Sequence, residues 1–227
     1  MPANPRKPAD GISWILFDYG GVLAEEGFHD TLAELSIRYG ESADTLPRLA
    51  MDAVYDSGYV TGKADEAAFW DLLRRRFPFF EPDAQLSEQI LRRFTLRKPM
   101  LELVDKLRSQ GFRTGILSDQ TDWLAKLDQR DHFFDHFDRI FNSYDMGKGK
   151  RDPTLFDDVM AALSIHPSQA IFIDDNPENV HRAASRGVCA VHYEERRKLL
   201  QTLSRLLNID MVWLERDSNW TATLKME

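Results

Sequence analysis

The 227-residue sequence predicts an α/β fold: a doubly wound parallel sheet that carries an inserted α-helical cap. Strand and helix patterns alternate along most of the chain, which is typical of parallel strands joined by crossover helices. One long block before Pro99 shows helical patterns only, and it is too long for a single crossover. Two apolar runs, Trp14 to Phe17 and Ile171 to Ile173, are each followed directly by aspartate.

The first predicted strand covers residues 12–17, a near-continuous apolar run as expected of a strand buried on both faces. Four helical patterns follow, at about residues 28–39, 45–55, 65–76 and 82–94. We therefore predict an α-helical cap over residues 25–96 and a core domain over residues 12–24 and 97–227. Residues 1–11, which contain three prolines and no apolar core, are predicted to be a mobile leader.

Alternation resumes at Pro99. Strand patterns lie at about residues 113–117, 139–142, 171–173 and 188–192, with a helical pattern after each. Asp152 and Pro153 predict a helix N-cap followed by proline at the first helical position. Five strands that alternate with helices predict a Rossmann-like core. Residues 211–214 could add an edge strand or form an interface, and the role of residues 208–227 is left open.

Composition excludes several classes of protein. The chain has 37 Asp and Glu against 29 Lys and Arg, a net charge of −8, which argues against a nucleic-acid partner. Cys189 is the single cysteine, predicted to lie in the core, so no intrachain disulfide and no cysteine-based zinc site can form. No stretch approaches the ~18 apolar residues of a membrane span. We predict a cytoplasmic protein without a membrane partner.

Acidic residues follow two of the predicted strands. Asp18 comes after the first strand, and Asp174 and Asp175 come at the end of the fourth. Because the carboxyl ends of parallel strands share one edge of the sheet, these three carboxylates should converge there. They repel one another unless a cation neutralises them, and oxygen ligands favour Mg²⁺. The pair could also cap a helix N-terminus. The sequence therefore predicts a metal-assisted enzyme that acts on an anion, most simply a phosphate.

Four short motifs occur in a fixed order, and each lies at a predicted strand end or just before a helix. They are Phe-Asp-Tyr-Gly-Gly-Val-Leu at residues 17–23, Ile-Leu-Ser-Asp at residues 116–119, Lys150 ahead of Asp152-Pro153, and Ile-Asp-Asp-Asn at residues 173–176. In order and spacing, residues 12–207 resemble the haloacid dehalogenase (HAD) superfamily of phosphatases, the subgroup with a helical cap after the first motif.

The resemblance implies a role for each motif. Asp18 would be the nucleophile that forms an aspartyl-phosphate, and the Gly20 carbonyl would bind the metal. Asp175 is the first choice for a further metal ligand, with Asp174 acting indirectly or through a water. Lys150 would offset negative charge, although Lys148 lies close enough to compete and both could belong to a solvated basic loop.

The phosphate-binding groups are predicted from the residues themselves. Gly20 and Gly21 allow the backbone to pass close to a phosphate. The Ser118 hydroxyl and the amides that follow it, from Asp119 onward, can donate hydrogen bonds to phosphate oxygens. Ser118 could instead be a plain helix N-cap.

The chain departs from the family at Gly20, where related phosphatases have an aspartate that protonates the leaving oxygen and activates water. Loss of a positioned general acid typically costs ~10²- to 10⁴-fold in rate. Four alternatives follow: a substrate with a good leaving group, an acid from Glu25, Glu26 or His29, a phosphate-binding regulatory protein with little turnover, or a dehalogenase that works without metal. The three polar residues are more simply explained as linker and helix-start residues. A dehalogenase would not need the acidic pair at residues 174–175.

We therefore predict a Mg²⁺-dependent phosphohydrolase for a small phosphorylated metabolite. Substrate identity and oligomeric state are not predicted. Four cap aromatics are candidates for the substrate pocket, although cap packing is the simpler explanation for the last two: Tyr55, Tyr59, Phe69 and Trp70. Four basic residues near the return to the core could steer an anion, although a solvated helical face explains them more simply: Arg92, Arg93, Arg97 and Lys98.

Overall fold

The structure, a computed structural model, describes residues 11–211. Within that range the sheet comprises five strands: β1 (Trp14–Phe17), β2 (Arg113–Ser118), β3 (Arg139–Asn142), β4 (Ala170–Asp174) and β5 (Cys189–His192). Their order across the sheet is β3-β2-β1-β4-β5, and all neighbouring pairs are parallel. The predicted α/β class and parallel sheet are confirmed, and β1 lies at the centre.

Helices flank the sheet and fill the insertion. They are α1 (Gly27–Arg38), α2 (Thr45–Asp56), α3 (Glu66–Arg76), α4 (Asp83–Arg93), α5 (Lys98–Ser109), α6 (Trp123–Asp131), α7 (Ser143–Met146), α8 (Thr154–Leu163), α9 (Pro177–Ser185) and α10 (Arg196–Leu207). The helices α1–α4, here called the cap helices, occupy the predicted cap block between β1 and α5. The four-residue α7 was not predicted because it is too short to show a helical period.

Helix α8 begins one residue later than its sequence predicts. Pro153 stands at the N-cap and Thr154 opens the helix. The Asp152 carboxylate accepts hydrogen bonds from the Thr154 backbone N–H, at 2.9 Å, and from the Thr154 hydroxyl, at 2.8 Å. Asp152, one residue before the N-cap, thus satisfies a backbone N–H of the first helical turn. The predicted N-cap placement was wrong by one residue.

The register of the central strands brings the motifs to one edge of the sheet. Phe17 on β1 lies opposite Ile173 on β4 and Ile116 on β2. The residues that follow, Asp18 and Asp174, therefore leave the sheet side by side. Alternate strand residues pack on opposite faces: Phe17 belongs to the apolar cluster that includes the cap helices, and Leu16 to the cluster with α8.

The chain enters and leaves the cap helices through two paired segments. Ala24 and Leu96 form an isolated antiparallel bridge. The Glu25 N–H donates to the Thr95 carbonyl at 2.9 Å, and the Arg97 N–H donates to the Leu23 carbonyl at 2.8 Å. The predicted boundaries at 24/25 and 96/97 fall in this paired hinge, and the division into two domains stays a prediction.

Two sequence predictions concern residues outside the described range. The mobile leader lies there except for Gly11, and the edge strand or interface at residues 211–214 lies there except for Met211, which is buried. Along residues 11–211, no helix combines the length and apolar character that crossing a membrane requires.

Candidate active site

Three carboxylates meet at the carboxyl edge of the sheet. Asp18, Asp174 and Asp175 each offer an oxygen atom, and these atoms lie within 4.8 Å of one another. Asp174 is fully buried, the Asp18 side chain is 13% exposed, and Asp175 is exposed at the rim. The structure therefore brings together the three acidic groups that the strand ends predict.

Lys150 lies inside this carboxylate cluster. Its Nζ is 2.8 Å from Asp18 Oδ2 and 2.6 Å from Asp174 Oδ2, and its side chain is only 1% exposed. Lys148 instead lies at the surface, where it pairs with Asp158 and donates to the Thr154 hydroxyl at 3.0 Å. Of the two lysines that competed on sequence, the structure places Lys150 beside the candidate nucleophile.

The charges of the cluster do not balance. Burial raises the pKa of Asp18 well above its usual value; Lys150 opposes that rise, while Asp174 and Asp175 add to it. Burial alone would lower the pKa of Lys150, but the carboxylates of Asp174, Asp18 and Asp119 raise it, so the ammonium stays charged. One ammonium among three carboxylates leaves excess negative charge on an all-oxygen donor set, which fits a hard divalent cation such as Mg²⁺.

Asp174 and Asp175 differ in their surroundings. Asp174 accepts hydrogen bonds from Lys150, from the Asn176 N–H at 2.8 Å and from Asn179 Nδ2 at 3.2 Å. Asp175 borders the cavity described below. The N-cap of α9 is Asn176, whose side chain accepts from the Glu178 N–H. Helix capping therefore does not account for the acidic pair.

The residues at the end of β2 divide into two roles. Ser118 is buried and lines the cavity, and it does not cap α6, whose N-cap is Asp122. The Asp119 carboxylate accepts from the Lys150 N–H, at 2.8 Å to Oδ1, and from the Tyr55 hydroxyl. Because the Asp119 side chain is engaged in these bonds, its backbone amide is the part that can donate to phosphate.

A cavity of about 540 Å³ lies between the carboxylate cluster and the cap helices. That volume suits a small molecule. Asp18, Ser118 and Lys150 line its floor. Apolar side chains supply much of the opposite wall: Phe28, Pro47, Met51, Val54 and Val60, together with Trp123 from the core.

The aromatic candidates from the sequence separate in the structure. Tyr55 lines the cavity, and Arg151 lies over its ring at 3.9 Å. Tyr59 is buried and donates to Asp122, whereas Phe69 and Trp70 are fully buried in the packing of the cap helices. Phe28 and Trp123 line the cavity but were not predicted, because a helical apolar pattern does not say which aromatic borders a void.

The three arginines near the hinge are paired with acidic side chains. Arg97 pairs with Glu25 at 2.6 Å, Arg92 pairs with Glu88 at 2.6 Å, and Arg93 pairs with Glu34. Lys98 is exposed on α5. The cavity wall instead carries Arg151 and Arg182, neither of which was a candidate from sequence.

Glu26 fills the space beside Gly20. A Cβ built on Gly20 would lie 2.5 Å from Glu26 Oε2. Of the other two polar candidates, Glu25 is paired with Arg97, and His29 is half exposed beside Asp30. Burial raises the pKa of Glu26 to about 7, and the Asp175 carboxylate adds to the shift. Among the three, Glu26 is the one that reaches the position of the missing aspartate.

Gly21 is required by both backbone and space, and we expect Gly21→Ala to lower activity and stability together. Its φ of +74° belongs to the left-handed region, and a Cβ there would overlap the Asp175 carboxylate. The backbone strain alone costs about 1–2 kcal/mol. Gly40→Ala is the matched control, since Gly40 has a φ of +82° and open space around its Cβ position. Thermal unfolding should show a loss in both variants, and Mg²⁺ titration should show weaker binding only in Gly21→Ala; equal binding by both variants would contradict this.

The chain is similar to several known proteins. A family profile described as haloacid dehalogenase-like hydrolase matches residues 12–185. Bifunctional epoxide hydrolase 2 of Rattus norvegicus is 25% identical over 130 residues, which is 54% of this chain but only 23% of the length of that protein. D-ribitol-5-phosphate phosphatase of Bacteroides thetaiotaomicron is 24% identical over 209 residues, covering 87% of this chain and 99% of that protein.

A solved structure has the same fold. A HAD family enzyme from Bacteroides thetaiotaomicron, in complex with magnesium and inorganic phosphate, superimposes with a TM-score of 0.65 at 24% identity. The superposition covers 83% of this chain and 99% of that chain. With the family profile spanning β1 to α9 and all four motifs, the chain belongs to the haloacid dehalogenase-like hydrolase family.

Proposed function

We propose that this hydrolase is a Mg²⁺-dependent phosphatase that acts on a small phosphorylated metabolite through an aspartyl-phosphate on Asp18. One observation carries the proposal: Lys150 Nζ lies between Asp18 and Asp174, with Asp175 close by, at the floor of the cavity between the sheet edge and the cap helices. Such a site can hold one divalent cation, whose charge offsets the excess negative charge of the cluster and allows a phosphoryl group to bind beside it.

The metal would be held by the Asp18 and Asp175 carboxylates and the Gly20 carbonyl, with Asp174 acting indirectly. When bound, Mg²⁺ would neutralise the carboxylates and draw charge from the phosphoryl oxygens. The oxygen donors present fit this ion by their chemistry. Asp174 is held by Lys150, Asn176 and Asn179, which supports a positioning role.

The chain's own groups would carry the reaction. An ionised Asp18 oxygen attacks phosphorus, the bond to the leaving oxygen breaks, and water later hydrolyses the aspartyl-phosphate. The Lys150 ammonium and the amides after Gly20 and Ser118 would stabilise the charge that develops on the phosphoryl oxygens. The similarity to a D-ribitol-5-phosphate phosphatase along most of both chains supports a phosphomonoester as substrate.

A dehalogenase is the second candidate, because a halide leaving group needs no proton and Gly20 supplies no side chain to give one. The acidic cluster argues against it. Asp174 and Asp175 beside Asp18 would be a costly arrangement without a cation, and a metal-free reaction has no use for them. A phosphate-binding protein with little turnover is the third candidate, and it would keep the cluster without releasing product.

Metal removal tests the proposal. We expect phosphate release from p-nitrophenyl phosphate, acetyl phosphate or glucose-1-phosphate to require Mg²⁺ and to stop with EDTA. Asp175→Asn should weaken Mg²⁺ binding by at least about 100-fold, because it removes a charged ligand. Mg²⁺ at 100 times its Kd should also stabilise the wild type by about 2.7 kcal/mol in thermal unfolding.

The matched control is Asp71→Asn, since Asp71 is exposed on α3 in the cap helices. It should keep the wild-type response to Mg²⁺. Halide release from a haloacid in the presence of EDTA would favour the dehalogenase instead. Phosphate binding without release from any of the three substrates would favour the binding protein.

The other sequence predictions stay predictions. These are a cytoplasmic location and the absence of nucleic-acid and membrane partners.

A further inference from the structure

Building on the proposed phosphatase function, we propose that Glu26 is the general acid and base of this site, in place of the side chain that Gly20 lacks. The gap left by Gly20 is not empty. Glu26 Oε2 lies 2.5 Å from the position that a Gly20 Cβ would take. The Glu26 carboxyl therefore occupies space that a side chain at position 20 would need.

Glu26 reaches this position from a different part of the chain. It lies in the hinge, directly before α1, as the N-cap residue of that helix. Glu26 lines the same cavity as Asp18 and Lys150. Glu26 therefore reaches this cavity from the start of the cap helices, and Asp18 reaches it from the end of β1.

The surroundings fix the Glu26 backbone. A Cβ on Gly27 would lie 2.5 Å from the Ile90 carbonyl oxygen and 2.8 Å from the Phe94 nitrogen, so α1 packs directly on the end of α4. Phe94 is fully buried, and its ring lies 3.5 Å from the Gly20 Cβ position. Backbone packing around Gly27, together with the buried Phe94 ring, therefore holds the start of α1 next to Gly20.

Gly20 and Glu26 therefore form one arrangement. A Cβ at position 20 would overlap the Glu26 carboxyl where it now lies, so the glycine leaves room for the glutamate in this position. The two neighbouring candidates do not fit this role. Glu25 is held by Arg97, with Nη2 to Oε2 at 2.6 Å, and His29 lies half exposed beside Asp30.

The proton balance of the two steps is complete. In the first step an Asp18 oxygen bonds to phosphorus, the bond to the leaving oxygen breaks, and the Glu26 proton passes to that oxygen, so an alcohol departs and Glu26 becomes a carboxylate. In the second step this carboxylate takes a proton from water, the water oxygen attacks phosphorus, and the bond to Asp18 breaks. Glu26 ends protonated and Asp18 ends ionised, ready for the next cycle.

The test uses Glu26→Gln, which keeps the size of the side chain but cannot donate or take the proton. We expect a loss of ~10²- to 10⁴-fold in kcat on a phosphate with a poor leaving group, such as glycerol phosphate. Phosphorylation by acetyl phosphate, whose leaving group needs no proton, should keep its wild-type rate in a single turnover. Hydrolysis should then stall, so the aspartyl-phosphate accumulates and is detected by intact mass spectrometry.

Two further variants separate catalysis from structure. Glu25→Gln is the matched control and should keep the wild-type ratio of rates on poor and good leaving groups. The double variant Gly20→Asp with Glu26→Ala removes the carboxyl group of residue 26 and introduces one at residue 20. It should recover at least 10-fold of the activity lost in Glu26→Ala on glycerol phosphate.

The outcomes of these experiments distinguish a catalytic role of Glu26 from a structural one. A uniform loss on all substrates without accumulated aspartyl-phosphate would assign Glu26 a structural role and overturn the inference, as would a double variant that recovers nothing. No phosphate release by the wild type on any of these substrates would overturn the phosphatase proposal and this inference with it. Metal-dependent release by the wild type together with an unaffected Glu26→Gln would overturn the inference alone.

Discussion

Asp18→Asn is expected to abolish steady turnover, lowering kcat by roughly 10⁴-fold or more. The amide of asparagine is a poor nucleophile, so no aspartyl-phosphate forms and the two-step route closes. Asparagine has nearly the size of aspartate, and Lys150 keeps its bond to Asp174, so the site should keep its shape. The measurement is phosphate release in Mg²⁺, with intact mass spectrometry to look for the phosphorylated chain.

The same variant should be at least as stable as the wild type. Burial raises the pKa of Asp18 above its usual value, so the ionised carboxylate costs the folded state free energy at neutral pH. Replacing it with a neutral group removes that cost. In metal-free buffer at pH 7 we expect Asp18→Asn to unfold at a temperature no lower than the wild type. If Asp18→Asn instead kept a kcat within tenfold of the wild type, the proposal that Asp18 is the nucleophile would be contradicted.

Lys150→Met is expected to damage both stability and catalysis. The substitution keeps a long side chain but leaves the buried Asp174 and the largely buried Asp18 without their ammonium partner. Breaking a buried ion pair by removing one partner costs about 3–5 kcal/mol in the free energy of unfolding. We also expect kcat to fall by about 10²- to 10³-fold, because a charged donor beside the phosphoryl group is lost. Denaturant unfolding and phosphate release measure the two effects.

Lys148→Met is the matched control for this prediction. Lys148 is two residues away, carries the same charge and pairs with Asp158 at the surface, where exposed ion pairs contribute little. Its unfolding midpoint and kcat should stay near the wild-type values. If Lys148→Met and Lys150→Met lose the same amount of stability and of kcat, the role proposed for Lys150 is contradicted.

The sequence predicted the strands better than the surroundings of the site. Apolar runs such as residues 14–17 and 171–173 are local patterns, and their ends locate Asp18 and Asp174 without any knowledge of the rest of the chain. The parallel arrangement then brings these two aspartates to one edge. Prediction therefore extended to the carboxylate cluster, since its geometry depends on regular structure.

The features that the sequence did not show depend on contacts between distant residues. The bond from Tyr55 to Asp119 joins residues that are 64 positions apart, and no local pattern announces it. The sequence left Glu26 open between a replacement acid and an ordinary linker or helix-start residue, and the structure places it at the N-cap of α1. Its position beside Gly20 follows only from how α1 packs on Phe94. Phe28 on α1 and Trp123 on α6 likewise reach the cavity wall through the packing of these two helices.

The paired hinge has a consequence for how such a chain can change over evolution. Ala24 and Leu96 bridge each other, so the insertion starts and ends at one place. Residues gained or lost among the cap helices leave both ends where they are, and the register of β1 with its neighbours does not shift. The cavity wall can thus be rebuilt by insertion and deletion while Asp18 stays in position, although Glu26, at the edge of the exchanged segment, would have to be kept.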